Sequence, residues 1–186
     1  NTSEAAPTSL GVSSAAPASY CVSVIGGAMT NRTLRDTAMS FIDFETTGLS
    51  ARSGARVVEV SIVRVEPDGE PQVVLDTLID PEGPVLCTSI HGIDDEDVLG
   101  APRFTDILGE MIGALENSVV AAFNASFDIS FLTAEARLAP NTSKLRTPPY
   151  ICLMWMRPLL GLSKRCSLEA ACHQHGLRAG THRAAE

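Results

Sequence analysis

The hydrophobic pattern of this 186-residue chain changes its period once, near Pro102, and that change limits the folds open to it. Three stretches of strand character precede it. Residues 39–44 (MSFIDF) form a short apolar run that ends in Glu45-Thr-Thr-Gly, and residues 56–66 (RVVEVSIVRVE) are rich in Val and Ile with polar residues interspersed. Residues 72–79 (QVVLDTLI) return after the turn Pro67-Asp-Gly-Glu-Pro. Connections this short predict an antiparallel meander. Beyond Pro102, the residues Phe104, Ile107, Leu108, Met111, Ile112 and Leu115 fall at helical spacing. Residues 118–123 (SVVAAF) read as a buried strand. Residues 125–138, carrying Phe127, Phe131, Leu132 and Ala136, read as a helix. Residues 150–153 predict a last strand, and residues 167–175 a short helix closed by Gly176. A meander followed by alternating helix and strand predicts an α/β domain, a mixed sheet with helices packed against it.

The composition agrees with one such domain. Hydrophobic residues make up 45% of the chain and charged residues 19%, a globular balance rather than a disordered or fibrous one. Residues 1–34 are dominated by Ala, Ser, Thr, Pro and Gly and read as a flexible tail, which places the folded domain at 35–186. The tail lacks the basic segment of a secretory signal, and no apolar run reaches the roughly 18–20 residues that cross a bilayer. The expectation is a soluble, cytoplasmic protein with no membrane partner. The five cysteines are scattered without a Cys-x-x-Cys pair, as expected of reduced thiols.

Net charge is −8, which by itself argues against a protein that coats nucleic acid. The charge is unevenly spread. Residues 66–116 hold 13 acids and one base, Arg103, whereas from Pro140 onward seven bases face only Glu169 and Glu186. This asymmetry allows a local basic rim, and a protein that grips only the last few nucleotides of a strand needs no long basic groove. A solvated acidic face without a partner is the alternative.

The stretch richest in chemistry is Phe41-Ile-Asp-Phe-Glu-Thr-Thr-Gly-Leu. Asp43 and Glu45 are two apart on a strand, so their side chains share a face. Adjacent carboxylates repel, and a divalent cation resolves that repulsion. Hard oxygen ligands of this kind favour magnesium or manganese over zinc. The competing reading is a pair of solvated acids at a strand edge. A second acid element is Asn124-Ala-Ser-Phe-Asp128-Ile-Ser-Phe-Leu. There Asp128 opens a helix that Ser126 or Asn124 can cap, although an acid in a first turn is common for dipole reasons alone. The third is Gly180-Thr-His182-Arg-Ala-Ala-Glu186; a lone His near a chain end is more often incidental than catalytic.

Together these motifs resemble those of the DEDDh 3′→5′ exonucleases, a family on the ribonuclease H-like fold that includes the epsilon proofreading subunit of DNA polymerase III, RNase T and the TREX enzymes. Asp43-Phe-Glu45-Thr-Thr-Gly matches the first motif, Asn124 through Leu132 the second, and His182-Arg-Ala the start of the third. His91-Gly-Ile-Asp-Asp is similar to the family's His-Gly-Ile loop. The resemblance covers residues 39 to the end. It implies a five-stranded mixed sheet flanked by helices, the meander first and parallel strands after it.

The resemblance also implies roles. Asp43, Glu45 and Asp128 would be ligands for two magnesium or manganese ions, and His182 the general base that deprotonates the attacking water. Thr46, Leu49 and His91 would hold the terminal nucleotide, joined by Asn124 and Phe127 of the second motif. The implied substrates are single-stranded or frayed 3′ ends of DNA or RNA, released as nucleoside 5′-monophosphates in proofreading or repair, and the implied protein partner is a DNA polymerase. Two departures stand out. Phe123 occupies the place where the family often has His before the Asn. The family's fourth carboxylate, an Asp five residues after the His, is not reached, because the sequence stops at Glu186, four residues after His182; the longer side chain of Glu186 is the alternative to a missing ligand, against a rotation of about 100° around the helix. The exonuclease domain is therefore expected to be incomplete at its C-terminal end. The alternative function is a catalytically impaired domain that binds nucleic-acid ends or serves as a polymerase-associated scaffold.

Overall fold

In strand β1 (Met39–Thr46), the buried residues Ser40, Ile42, Phe44 and Thr46 alternate with Phe41, Asp43 and Glu45 on the opposite face. The computed structural model to which this strand belongs describes residues 33–140, 148–162 and 166–178. The expected tail, apart from its last two residues, lies outside the described residues. Strands β2 (Val57–Val65) and β3 (Gln72–Leu78) follow β1 as an antiparallel meander. Strands β4 (Val119–Ala122) and β5 (Tyr150–Cys152) then add in parallel on its other side. The order β3-β2-β1-β4-β5 makes β1 the centre of the mixed five-stranded sheet that the period change predicts.

Helix α1 (Thr88–His91) lies between β3 and α2 (Phe104–Leu115), and helix α3 (Ala125–Ala136) links β4 to β5. Helices α4 (Leu153–Leu159) and α5 (Leu168–Gln174) follow. The core forms where Ile42, Phe44, Val60 and Ile62 of the sheet meet Phe104, Leu108 and Met111 of α2 and Ile129 and Leu132 of α3. A smaller cluster of Val58, Val85, Ile93 and Val98 anchors the segment around α1. Among the described residues, no helix is long and apolar enough to cross a membrane. Cys87, Cys152, Cys166 and Cys172 are free thiols.

Two helices escape the sequence pattern. The four residues of α1 are too few to show a period, and α4 carries Pro158, which reads as a breaker. The start of α3 also differs from expectation. Asn124 occupies the N-cap position but makes no side-chain cap bond; instead its Oδ1 accepts from Ser126 Oγ at 3.3 Å.

A buried ion pair fixes α3 against the meander. The Arg56 guanidinium grips Glu135 with two hydrogen bonds, Nε to Oε1 at 2.8 Å and Nη2 to Oε2 at 3.0 Å. The Val57 N–H donates to the same Oε1 at 3.1 Å. Glu135 is only 2% exposed and lies two helical turns after Asp128, while Arg56 adjoins β1 through its bonds to Thr47. A charge buried this deeply tolerates its position only while paired. Glu135→Ala should therefore cost about 3–5 kcal/mol of stability in urea denaturation. Adding Arg56→Ala to it should cost much less than Arg56→Ala alone; simple additivity would mean the two do not act as a pair.

Candidate active site

The register of the central strands opens the site. β4 pairs with β1 only from Met39↔Val119 to Phe41↔Ala121 and ends at Ala122. From Ile42 to Thr46, β1 continues beside β2 alone, with an irregularity between Glu45 and Thr46. Asp43 and Glu45 sit on this overhang, level with the start of α3. Their carboxylates share one face, Asp43 exposed and Glu45 half-buried.

Asp128, in the first turn of α3, is buried at 4% exposure. Its carboxylate accepts backbone hydrogen bonds from its own N–H and from Phe44, which ties it to β1 between the other two acids. Burial, and then the charge of Asp43, push the Asp128 carboxyl up to about 7; Glu45 adds to this, while the two backbone bonds oppose it. Glu45 is likewise pushed up to about 7, first by burial and then by the charges of Asp43 and Glu59. The fold therefore brings Asp43, Glu45 and Asp128 into one electrostatically strained group, and it adds an acid that sequence reasoning passed over. Glu59 is directly opposite Glu45 on β2 and only 8% exposed. A single acid inside the apolar run VVEVSIV was the available signal.

The comparisons with known proteins bear on this arrangement. A family model described as "Exonuclease" (RNase_T) matches residues 40–186. The chain belongs to this exonuclease family. A DNA polymerase III subunit epsilon-like protein of Rhodobacter capsulatus is 30% identical over 141 residues, 73% of this chain and 19% of that protein. The DNA polymerase III subunit epsilon of Treponema pallidum is 33% identical over 105 residues, 54% of this chain and 47% of that protein. A zinc-bound complex of Escherichia coli ExoI with single-stranded DNA shares the fold at a TM-score of 0.52 and 16% identity, covering 67% of this chain and 30% of that one. The chain thus spans less than half the length of either relative.

In this exonuclease domain the remaining candidates fall into three groups. Thr46 is buried and its Oγ1 donates to the Gly48 carbonyl at 2.8 Å, so it shapes the turn that presents Leu49, which is 85% exposed. Next to that turn, Cys87 Sγ reaches the Thr47 carbonyl at 3.6 Å and brings α1 alongside. His91 lies inside the α1 loop at 3% exposure. Its Nδ1 accepts from the Ile93 N–H at 3.1 Å, so the Nε2–H donates to the Leu86 carbonyl at 2.9 Å. Both ring nitrogens are thereby committed to the loop. What His91 offers a ligand is the loop it shapes.

Asn124 is exposed at the head of α3, and Phe127 is half-buried, its ring 4.8 Å from that of Phe131. His182 and Glu186 lie outside the described residues.

The raised carboxyls have a measurable consequence without metal. Their reference values are 4.5 for Glu45 and 3.8 for Asp128, so up to about pH 7 the native chain holds protons that the unfolded chain has released. The stability linked to those protons is complete below the reference values and is lost as pH rises through about 7. In EDTA the melting temperature should therefore fall between about pH 5 and 7.5, and Asp128→Asn should flatten that fall. An identical slope in the variant would show that Asp128 is not strained.

Proposed function

We propose that this domain is a divalent-metal-dependent 3′→5′ exonuclease that releases nucleoside 5′-monophosphates from single-stranded or frayed 3′ ends, and that magnesium or manganese, two ions per site, serves it. The observation that carries the proposal is the convergence of Asp43, Glu45 and Asp128 at the overhang of β1, with two of them pushed up to about 7 by burial and neighbouring carboxylates. Among the described residues, no group of three or more His, Cys, Asp or Glu side chains is placed so that it could hold a metal ion as it stands. The fit lies in the donor chemistry. Three hard oxygen donors raise one another's charge cost, no described cation is among the causes of the two shifts, and their excess negative charge is what a divalent ion would neutralise. Bound there, such ions supply Lewis-acid polarisation of a phosphoryl oxygen and a nucleophile available at neutral pH.

The chain's own residues do the rest. Asp43 and Glu45, from a strand, and Asp128, from a helix, present their carboxylates from regular elements. Exposed Leu49 provides an apolar surface for the last base, next to the turn braced by Thr46. Asn124 and Phe127, at the head of α3, border the acids, and the loop closed by His91 stands beside the same turn. His182 takes the proton of the attacking water at an imidazole nitrogen, a role that suits histidine in general because an unperturbed imidazole titrates near neutral pH. The similarity to epsilon-subunit relatives supports association with a polymerase and extends the proposal to proofreading.

The test uses single-stranded oligonucleotides labelled at the 3′ or the 5′ end, DNA and RNA in parallel, with magnesium, manganese or EDTA. A metal-dependent ladder that shortens from the 3′ end is expected. Asp43→Ala should slow it by about a thousandfold or more, and His182→Ala by roughly a hundredfold to ten-thousandfold. A second protein with a short helical extension after Glu186 that places an Asp five residues after His182 runs alongside; cutting by it alone would show that a fourth carboxylate at that place is needed. Binding of 3′ ends without cutting by either protein would move the domain to the scaffold reading.

A further inference from the structure

A cleft of about 740 Å³ lies between α3 and the connection from β1 to β2. Its walls come from the helix that carries Asp128 and from the connection that follows the strand of Asp43 and Glu45. One wall is a face of α3, with Ser126, Ser130, Thr133 and Arg137; Ile129, next to Asp128 in sequence, is also part of it. The other is the connection itself, with Arg52 and Arg56, only a few residues after the exposed Leu49. Tyr150, half-exposed at the start of β5, lines it too.

The lining has a definite chemistry. Of the eight arginines among the described residues, three face this one cleft, in a chain whose net charge is −8. Arg56 is held by Glu135 and Glu82, whereas Arg52 and Arg137 are exposed. Three hydroxyls (Ser126, Ser130 and Thr133) recur along the helix between Asp128's end and Arg137. At 1.5 Å per residue, Ser126 to Arg137 covers about 16 Å, a reach of several nucleotides. Spaced cations and hydroxyls recognise phosphates, and an exposed aromatic ring gives a base a face to stack on.

We propose that this cleft holds the single-stranded nucleic acid upstream of the 3′ end, with Arg52 and Arg137 on its phosphates and Tyr150 against a base. The proposal rests on the exonuclease reading for its direction, the terminal nucleotide at Asp43, Glu45 and Asp128 and the tail running along α3. It makes the enzyme's grip on a strand depend on length, through residues separate from the acids.

The experiment measures binding of fluorescent single-stranded DNA, an octanucleotide against a dinucleotide, by the full chain in EDTA so that nothing is cut. In Arg52→Ala/Arg137→Ala, the octanucleotide's advantage over the dinucleotide should shrink on the order of tenfold. The slope of log affinity against log salt should become shallower by about 1.4, at roughly 0.7 for each single-strand phosphate that an arginine no longer neutralises. Both arginines are exposed, and a thermal melt confirms that the double variant folds. An octanucleotide advantage and salt slope equal to those of the unaltered chain would overturn the proposal, as would an equal loss for both lengths. If the unaltered chain binds but never cuts with magnesium or manganese, the exonuclease reading falls, while a shrunken length advantage in the variant would still support the cleft.

Discussion

β4 stops pairing with β1 at Ala121, and β1 runs on for five residues with β2 as its strand neighbour. Much of the molecule follows from that mismatch. A central strand covered on both edges has no place for two carboxylates, since their water would be stripped away with nothing to replace it. On the overhang, Asp43 keeps its exposure and Glu45 half of its own, while alternate residues Ile42 and Phe44 still anchor the strand in the core. The space that β4 vacates is taken by the head of α3, and its first turn delivers Asp128 to the Phe44 N–H. The site thus lies at the carboxyl ends of the parallel strands, where open α/β sheets generally place their ligands.

Two buried acids on the same helix show how differently the fold can treat a charge. Glu135 meets a bidentate guanidinium and a backbone N–H, so its negative charge is matched within the chain. Asp128, two turns earlier and similarly buried, has carboxylates as its charged neighbours. The first arrangement holds α3 to the meander; the second keeps a charge deficit at the site. They are coupled, because Arg56 lies across from Thr47 at the end of the strand that carries Glu45. Whatever holds Glu135 to Arg56 also sets the distance between Asp128 and β1. Strain of this kind persists only where surrounding packing over-determines it, and here the ion pair and the core beneath α3 do so.

Most of the framework was legible in the sequence because it rests on local period. The alternation of 39–44, the Val-rich 56–66 and the helical spacing after Phe104 each gave an element to within one or two residues. What was not legible has equally physical reasons. The four residues of α1 and the Pro-containing α4 carry no period to read. Glu59 looks like one of several polar residues in β2 until the register sets it opposite Glu45, and register between strands is not a local property. His91 is identifiable as a loop residue, but only the fold shows that both of its nitrogens are used within that loop. Asp128 alone is an ordinary first-turn acid; its weight comes from meeting Asp43 and Glu45, which the motif resemblance anticipated and spacing alone does not.

The acidic composition then ceases to conflict with a polyanionic substrate. A good part of the excess acid has work inside the fold. Asp94 and Asp97 cap their own turn, Asp95 receives the Val85 N–H, and Asp106 receives the Arg103 N–H at the start of α2. Glu82 is shared between Arg56 and Arg103. Acids fixed in this way shape the segment that carries His91, away from the cleft along α3, where Glu135 is the one lining acid and is paired with Arg56. Screening over about 8–10 Å at ordinary ionic strength keeps such regions electrically separate on one small domain. A net charge is a sum over the whole surface, whereas a strand in the proposed cleft would meet only what lies within that distance: the hydroxyls of α3 with Arg137 at its end, Arg52 across from them, and at the head of the helix the carboxylates whose repulsion a divalent ion would cancel.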